Sequence, residues 1–302
     1  MTLVAALDCG TNTVRLLVLD PSTGADVLRR STITRLGQGV DRTGELHRDA
    51  LARTRAAFAS YAQDLARLGV PIEGVRVVAT SATRDARNRA DFTALVRETV
   101  GVEPDVVSGD EEAALAFAGA TARLTAPGPH LVVDIGGGST ELVLGEGSVT
   151  AARSMDVGSV RLTERHFADD PPTAAQVAAA EADIHRLLDE AHAAVPWEQA
   201  ATVVGVAGTV TTLTALALRL PAYDSARVDG ARLDAERVEE VAAALLSSTH
   251  DERAASPVIE PGRVDVIAAG GLILRTVLAR LGAPSLLVSE HDILDGIAAD
   301  IG

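Results

Sequence analysis

The amino-acid sequence predicts an α/β fold built from two similar halves. Short apolar runs alternate with helical patterns along the chain, which is typical of α/β architecture. Residues 125–129, rich in Pro and Gly, have the composition of a linker, and the strand pattern restarts directly after them. In both halves an apolar strand ends in Asp and turns through Gly into a second apolar strand. Together these observations favour one internal repeat with a domain-sized period.

Apolar periodicity predicts the individual elements. In the first half we expect strands at residues 3–7, 14–19, 26–33 and 75–79, and helices at residues 47–68, 91–100 and 111–124. In the second half we expect strands at residues 131–133, 142–144, 149–153, 202–206 and 285–288, and helices at residues 173–194, 209–220, 236–246, 264–281 and 293–301. The predicted domains are residues 1–125, joined by the C-terminal helix at residues 290–302, and residues 126–289.

The internal repeat aligns Asp8 with Asp134. This alignment superimposes residues 8–18 on residues 134–144, so that strand, Asp, Gly-containing turn and strand coincide. The alternative is two unrelated hairpins, because short motifs also match by chance.

Composition limits the classes of function. The 302 residues are 47% hydrophobic, which suffices for two compact domains. The formal net charge is −15 and all 27 basic residues are Arg. Non-specific nucleic-acid binding is therefore disfavoured, since it depends on broad positive surface. A Walker-type phosphate loop is excluded because it requires Lys. A polyanionic substrate would need a locally positive cleft.

The sequence also predicts a cytoplasmic protein that does not enter the membrane. No apolar stretch approaches the ~20 residues of a membrane helix, and the N-terminus lacks a basic leader. Cys9 is the single cysteine, so no internal disulfide forms, as in proteins of a reducing cytosol. We interpret Cys9 as a small buried apolar residue rather than a nucleophile.

Each Asp–Gly turn combines a carboxylate with backbone N–H groups. The N–H groups can bind phosphate oxygens, and Gly allows the close approach. The carboxylates, Asp8 and Asp134, can hold magnesium, which usually bridges carboxylates to substrate phosphates. The alternative is that each Asp caps its own turn. The candidate phosphate-binding residues of the two turns are Gly10, Thr11, Asn12, Thr13, Gly136, Gly137, Gly138 and Ser139.

Two further segments have residue types that suit phosphate. Arg84 follows a buried strand, and its guanidinium matches phosphate geometry; the alternative is a solvated or salt-bridged Arg. Gly208 and Thr209 follow the strand at 202–206 in a strand–Gly–helix pattern that suits anions, although any helix start could look the same.

Three acids, Asp110, Glu111 and Glu112, lie at a predicted helix N-terminus. The helix dipole and capping explain Asp110 and Glu111. We separate Glu112 from them because of a family resemblance carried by motifs along nearly the whole chain. These motifs occupy residues 8–16, 36–39, 79–88, 108–113, 134–142, 158–164, 205–209 and 263–267.

In these motifs the chain resembles the exopolyphosphatase and guanosine pentaphosphate phosphohydrolase (Ppx/GppA) family of the sugar kinase, heat-shock chaperone and actin superfamily. The resemblance implies two actin-like, ribonuclease H-like domains with the active site in the interdomain cleft. It also implies that Glu112, the second Glu of the Ser-Gly-x-Glu-Glu-Ala motif, acts as base on the attacking water, supported by Glu141. With Asp8 and Asp134, Glu141 is a candidate ligand of Mg²⁺, or alternatively of Mn²⁺.

The expected activity is magnesium-dependent hydrolysis of the terminal phosphate of inorganic polyphosphate. Longer family members carry a C-terminal HD-like domain without a counterpart here, so we expect a short-chain substrate. One alternative is a pppGpp or nucleoside-triphosphate 5′-phosphohydrolase. Another is an ATP-binding module, for which Gly270-Gly271-Leu272 is the candidate adenosine site. The oligomeric state stays open, with a homodimer among the alternatives.

Overall fold

The computed structural model describes residues 2–301, and the chain divides into two units. Unit 1 consists of Met1–Gly119 and Asp292–Gly302, and unit 2 of Ala120–His291. The α/β class predicted from the sequence is confirmed, because each unit is built on one mixed sheet with helices.

The sheet of unit 1 has the strand order β3-β2-β1-β4-β5. Strand β1 pairs antiparallel with β2 and parallel with β4. The strands are β1 Val4–Cys9, β2 Thr13–Asp20, β3 Ala25–Ile33, β4 Val75–Ala79 and β5 Asp105–Val106. The helices are α1 Val40–Thr43, α2 Arg48–Leu68, α3 Ser81–Asp85, α4 Arg89–Thr99, α5 Gly109–Thr121, which begins in this unit, and α13 Ile293–Ala299.

Both faces of the unit 1 sheet are covered. Successive side chains of a strand point to opposite faces. Accordingly, Leu7 packs in one core with Phe58 of α2 and Phe92 of α4, while Ala6 packs in another with Ile297 of α13. Two-sided burial explains why β1 and β2 are almost continuously apolar rather than alternating.

The sheet of unit 2 has the strand order β10-β11-β9-β6-β7-β8. Its strands are β6 His130–Ile135, β7 Thr140–Glu146, β8 Ser148–Met155, β9 Thr202–Val206, β10 Arg232–Asp234 and β11 Ser285–Val288. Its helices are α6 Ser159–His166, α7 Ala174–His192, α8 Ala207–Ala217, α9 Ser225–Val228, α10 Ala235–Ser247, α11 His250–Ala254 and α12 Ile267–Leu281. Helix α7 begins at the predicted cap, Thr173, which forms a capping box with Gln176.

The internal repeat is confirmed by topology and register. The order β3-β2-β1-β4-β5 of unit 1 corresponds to β8-β7-β6-β9-β11 of unit 2. Asp8 pairs with Arg15 across β1 and β2, and Asp134 pairs with Glu141 at the equivalent place across β6 and β7. The interpretation as two unrelated hairpins is therefore wrong.

Some element boundaries differ from the predicted ones. Helix α8 begins at Ala207, so Gly208 and Thr209 lie inside its first turn. Helix α6 was not predicted, because only eight residues form it and its first turn is held by contacts with a distant turn rather than by its own pattern. None of the helices described for residues 2–301 combines the length and apolarity needed to span a membrane.

Candidate active site

The Asp8 carboxylate lies at the end of β1, where the parallel strands β1 and β4 finish together. Arg15 donates to Asp8 Oδ2 from Nε at 3.0 Å and from Nη2 at 2.7 Å. Asp8 Oδ1 is buried and has no hydrogen-bond partner among the described residues. Burial raises the pKa of the Asp8 carboxyl, and the charge of Arg15 opposes that rise. Asp8 Oδ2 thus accepts two hydrogen bonds from Arg15, whereas Oδ1 is a candidate ligand-binding atom.

Backbone hydrogen bonds to the carbonyl oxygens of residues 11–13 stabilise the turn after Asp8. Gly10 N–H donates to Thr13 O at 3.0 Å, and Gly37 N–H donates to Thr11 O at 2.8 Å. Asn12 O accepts from the two residues that follow β3. The side chain of Asn12 is 7% exposed, yet both of its amide atoms lack a partner among residues 2–301. Buried polar atoms are nearly always hydrogen-bonded, so Asn12 is a candidate ligand-binding residue.

Glu112 and Arg84 form an ion pair in unit 1. Arg84 Nη1 lies 2.8 Å from Glu112 Oε2 and also donates to Val107 O at 3.1 Å. Glu112 is 8% exposed. Burial raises the pKa of Glu112, the bond from Arg84 opposes the rise, and the charge of Asp8 adds to it. A carboxylate with a raised pKa is a stronger base than an ordinary one, which suits a proton acceptor.

Glu111 has a different environment although it is the next residue. Ser108 N–H donates to Glu111 Oε2 at 2.8 Å, and Glu111 N–H donates to Ser108 Oγ at 3.2 Å. This reciprocal pair is a capping box at the start of α5, and it lowers the pKa of Glu111. Capping therefore accounts for Glu111 and leaves the buried carboxylate of Glu112 without that explanation.

The glycine turn of unit 2 repeats the arrangement of the first turn. Gly136 N–H donates to Ser139 O at 3.0 Å, like Gly10 in unit 1. The carbonyl of Gly137 accepts from the first turn of α6, and Arg161 Nε donates to Gly138 O at 2.7 Å. No backbone carbonyl among the described residues accepts from the N–H groups of Gly137 and Gly138. Such N–H groups can form an anion-binding nest.

Asp134 and Glu141 are facing residues on β6 and β7, and both are buried. Ser154 Oγ on β8 donates to Glu141 Oε1 at 2.7 Å. Facing side chains on an antiparallel pair have Cβ atoms about 4.5–5.5 Å apart, so two carboxylates share one face here. Bringing two carboxylates together is costly unless cations or donors compensate them.

Helix α8 begins at the same edge of the sheet. Asp134 pairs with Val206, the last residue of β9, and α8 starts directly afterwards. A Cβ on Gly208 would collide with the guanidinium of Arg263, so only Gly lets Arg263 lie there. Arg263, which also pairs with Glu260 at 3.4 Å, places a guanidinium beside Gly208, one of the predicted phosphate-binding residues.

Comparison with known proteins gives the family of this chain. The sequence pattern of the Ppx/GppA phosphatase family matches residues 18–301. The chain belongs to the Ppx/GppA phosphatase family. It is 46% identical over 317 aligned residues to a Mycobacterium tuberculosis protein named exopolyphosphatase 2, covering 100% of this chain and 99% of that protein.

Two further proteins are similar to this Ppx/GppA chain. A solved exopolyphosphatase-like protein is 43% identical, with a TM-score of 0.96 and coverage of 100% of this chain and 99% of that one. A Vibrio cholerae protein named guanosine-5′-triphosphate,3′-diphosphate pyrophosphatase is 36% identical over 225 aligned residues. The aligned region covers 72% of this chain and 44% of that protein. The family resemblance inferred from the motifs is therefore confirmed.

The oxygen donors of this Ppx/GppA chain fit magnesium. Among residues 2–301 no three His, Cys, Asp or Glu side chains form a group that could hold a metal ion. Magnesium, however, usually takes one or two carboxylates and completes its shell with waters and substrate phosphates. The facing pair Asp134 and Glu141 meets that requirement, and Asp8 Oδ1 is a buried acceptor without a partner among the residues described.

Several residues near the predicted ones were missed at the sequence level. Thr80 assists Glu112 through a side-chain hydrogen bond, and Asp292 contacts Arg15. Arg263 lies in the family motif at residues 263–267, but the sequence alone indicates no role for it. Arg15 could have been found, since its place in the repeat puts it opposite Asp8 just as Glu141 is opposite Asp134. The roles of all the site residues stay predictions.

Proposed function

We propose that this protein is an exopolyphosphatase. The observation that carries the proposal is the 46% identity, over essentially the full length of both chains, to a protein named exopolyphosphatase 2. In the reaction, water attacks the terminal phosphorus of polyphosphate and the bond to the bridging oxygen breaks. The products are orthophosphate and a polyphosphate chain shortened by one unit. A cytoplasmic location is part of the proposal.

Glu112 takes the proton of the attacking water. Its burial and raised pKa support this role, since they make the carboxylate a stronger base than an ordinary Glu. Arg84 keeps the carboxylate oriented through its 2.8 Å bond. As a substrate-phosphate clamp, the role predicted for it, Arg84 would exchange part of that bond for one to a phosphate oxygen.

The two turns bind substrate phosphate through backbone N–H groups and through Asn12. The N–H groups of Gly137 and Gly138 support this role, because no backbone carbonyl among the described residues accepts from them. Asp8, Asp134 and Glu141 would hold Mg²⁺, or alternatively Mn²⁺. When bound, the ion neutralises charge that accumulates on the transferred phosphoryl group. Ser154 restrains the Glu141 carboxylate for that purpose.

A second candidate is hydrolysis of the terminal phosphate of pppGpp or of a nucleoside triphosphate. The similarity to the Vibrio cholerae relative supports it. The chemistry at the terminal phosphate would be the same, and only the remainder of the substrate would differ. The choice between the two therefore depends on contacts remote from Glu112.

The reading as an ATP-binding module without phosphatase activity has less support. Its candidate adenosine site, Gly270-Gly271-Leu272, is buried within α12. A Cβ on Gly270 would meet the side chain of Thr209 at 2.6 Å, and one on Gly271 would meet Ala242 at 3.4 Å. These glycines serve close helix packing, which leaves the third candidate without its proposed binding residues.

Phosphate release from four substrates tests the proposal. Short-chain polyphosphate, long-chain polyphosphate, pppGpp and ATP are compared at equal terminal-phosphate concentration with magnesium in excess. We expect the highest kcat/KM with polyphosphate, and the ratio for the two lengths tests the expectation of a short-chain preference. A higher kcat/KM with pppGpp or ATP would favour the second candidate. Nucleotide binding without release from any substrate would favour the binding module.

A further inference from the structure

Arg15 lies between two buried carboxylates of unit 1. It donates twice to Asp8 Oδ2, and its Nη1 contacts Asp292 Oδ2. Asp8 and Asp292 are each 3% exposed. A guanidinium holding two carboxylates in this way has little freedom to rotate, because its planar fork is engaged on both sides.

Asp292 is itself fixed by the backbone. Its Oδ1 accepts from Leu294 N–H at 3.0 Å and caps α13, so its two oxygens have separate partners. A Cβ on Gly119 would overlap Asp292 O, and one on Gly296 would overlap Leu115 O. Helices α5 and α13 therefore touch through their backbones. Since α5 also carries Glu112, Asp292 has a defined position relative to the proposed base.

This arrangement determines both the orientation and the charge at Asp8. With Oδ2 engaged by Arg15, Oδ1 is the oxygen left for a ligand. Asp8 and Arg15 alone would be a neutral pair, whereas Asp8, Arg15 and Asp292 together carry one net negative charge. The cluster of three thus adds a net negative charge, which favours a divalent cation and which the neutral pair would not provide.

We propose that Asp292 is a positioning residue that, through Arg15, orients Asp8 Oδ1 toward a divalent cation and maintains the negative charge that attracts it. The proposal rests on the proposed function, because it deepens the role of Asp8 in the same reaction. The competing explanation is that Asp292 only caps α13.

The test compares D292N with D295N. Asn is as good an N-cap as Asp, so D292N should keep the cap while removing the charge that faces Arg15. Asp295 is on the same helix, pairs with Arg29 at 2.6 Å and accepts from Asp292 N–H at 3.1 Å. D295N thus perturbs the same helix end without removing the negative charge that contacts Arg15.

Two measurements are made on each protein. The first is the Mg²⁺ concentration that gives half-maximal phosphate release, with kcat and KM at saturating Mg²⁺. The second is Mn²⁺ binding to the substrate-free protein, followed by electron paramagnetic resonance. For D292N we expect both metal constants to weaken by about 10–100-fold, the usual effect of losing a partner that orients a ligand. For D295N we expect both constants to stay near the wild-type values.

The outcomes separate the two proposals. Wild-type protein that releases no phosphate from any substrate would refute the proposed function, and the Mn²⁺ comparison would still decide the role of Asp292. Equal Mn²⁺ behaviour of wild type and D292N, absence of binding in both included, would refute the positioning role. So would an equal loss in D295N, because it would point to a general effect of α13.

Discussion

Replacing Glu112 by Gln tests the proposed base most directly. Gln has the same shape, and its amide oxygen can still accept the 2.8 Å bond from Arg84. It cannot take a proton from water. Positioned general-base catalysis contributes a factor of ~10²–10⁴, so we expect kcat to fall by that factor. The loss corresponds to about 2.7–5.4 kcal/mol of transition-state stabilisation.

The structure predicts a smaller effect on stability. After the substitution the charged Arg84 still donates to a side-chain oxygen, and the change removes a buried carboxylate whose charged form burial disfavours. We therefore expect the free energy of unfolding to change by less than about 1 kcal/mol. Arg84 retains Val107 O as a second acceptor, which limits the penalty. The expected change in the thermal midpoint is at most about 4 °C. KM should change little, because the base acts in the transition state.

The assay is steady-state phosphate release from short-chain polyphosphate, with the thermal midpoint measured on the same preparation. Glu111→Gln is the matched control, since Glu111 is the neighbouring acid and belongs to the capping box. It should turn over like the wild type with a slightly lower midpoint. A Glu112→Gln variant with near-native kcat would refute the assignment, and Glu141 would become the next candidate for the base.

Four further predictions concern the pH dependence, the Arg84–Glu112 pair, the metal and the packing. The acid limb of kcat/KM should lie above 4.5, the ordinary pKa of Glu, and should vanish in Glu112→Gln. Arg84→Ala should move that acid limb to higher pH, because the bond from Arg84 lowers the pKa of Glu112. The same change should raise KM if Arg84 also binds substrate. An acid limb at the wild-type pH would contradict the pairing of Arg84 with Glu112. Asp134→Asn should sharply lower activity and weaken its metal dependence, and full wild-type activity in excess chelator would contradict the magnesium role. Gly119→Ala should destabilise the protein by about 1–3 kcal/mol, because the new Cβ would overlap Asp292 O; an unchanged thermal midpoint would contradict the close packing of α5 and α13.

The sequence was most informative where the signal is local. Strands β4 and β11 begin and end where apolar runs predict them. Asp8 and Asp134 follow apolar strands before Gly, so their places at equivalent sheet edges could be inferred. Helix ends were less certain, since the start of α8 at Ala207 depends on the strand that precedes it rather than on helical periodicity.

The sequence by itself determined the fold class, the repeat and the residue types of the candidate site. These depend on periods of a few residues and on a motif that recurs once, and both can be recognised in the sequence alone. Only the tertiary structure decided the partners. Arg84 pairs with Glu112 across 28 positions, and Arg15, which also binds Asp8, pairs with Asp292 across 277. The reason is physical: such pairs form because packed strands and helices bring distant segments together, and an Arg has the same local signal whether it lies in solvent or between two buried carboxylates.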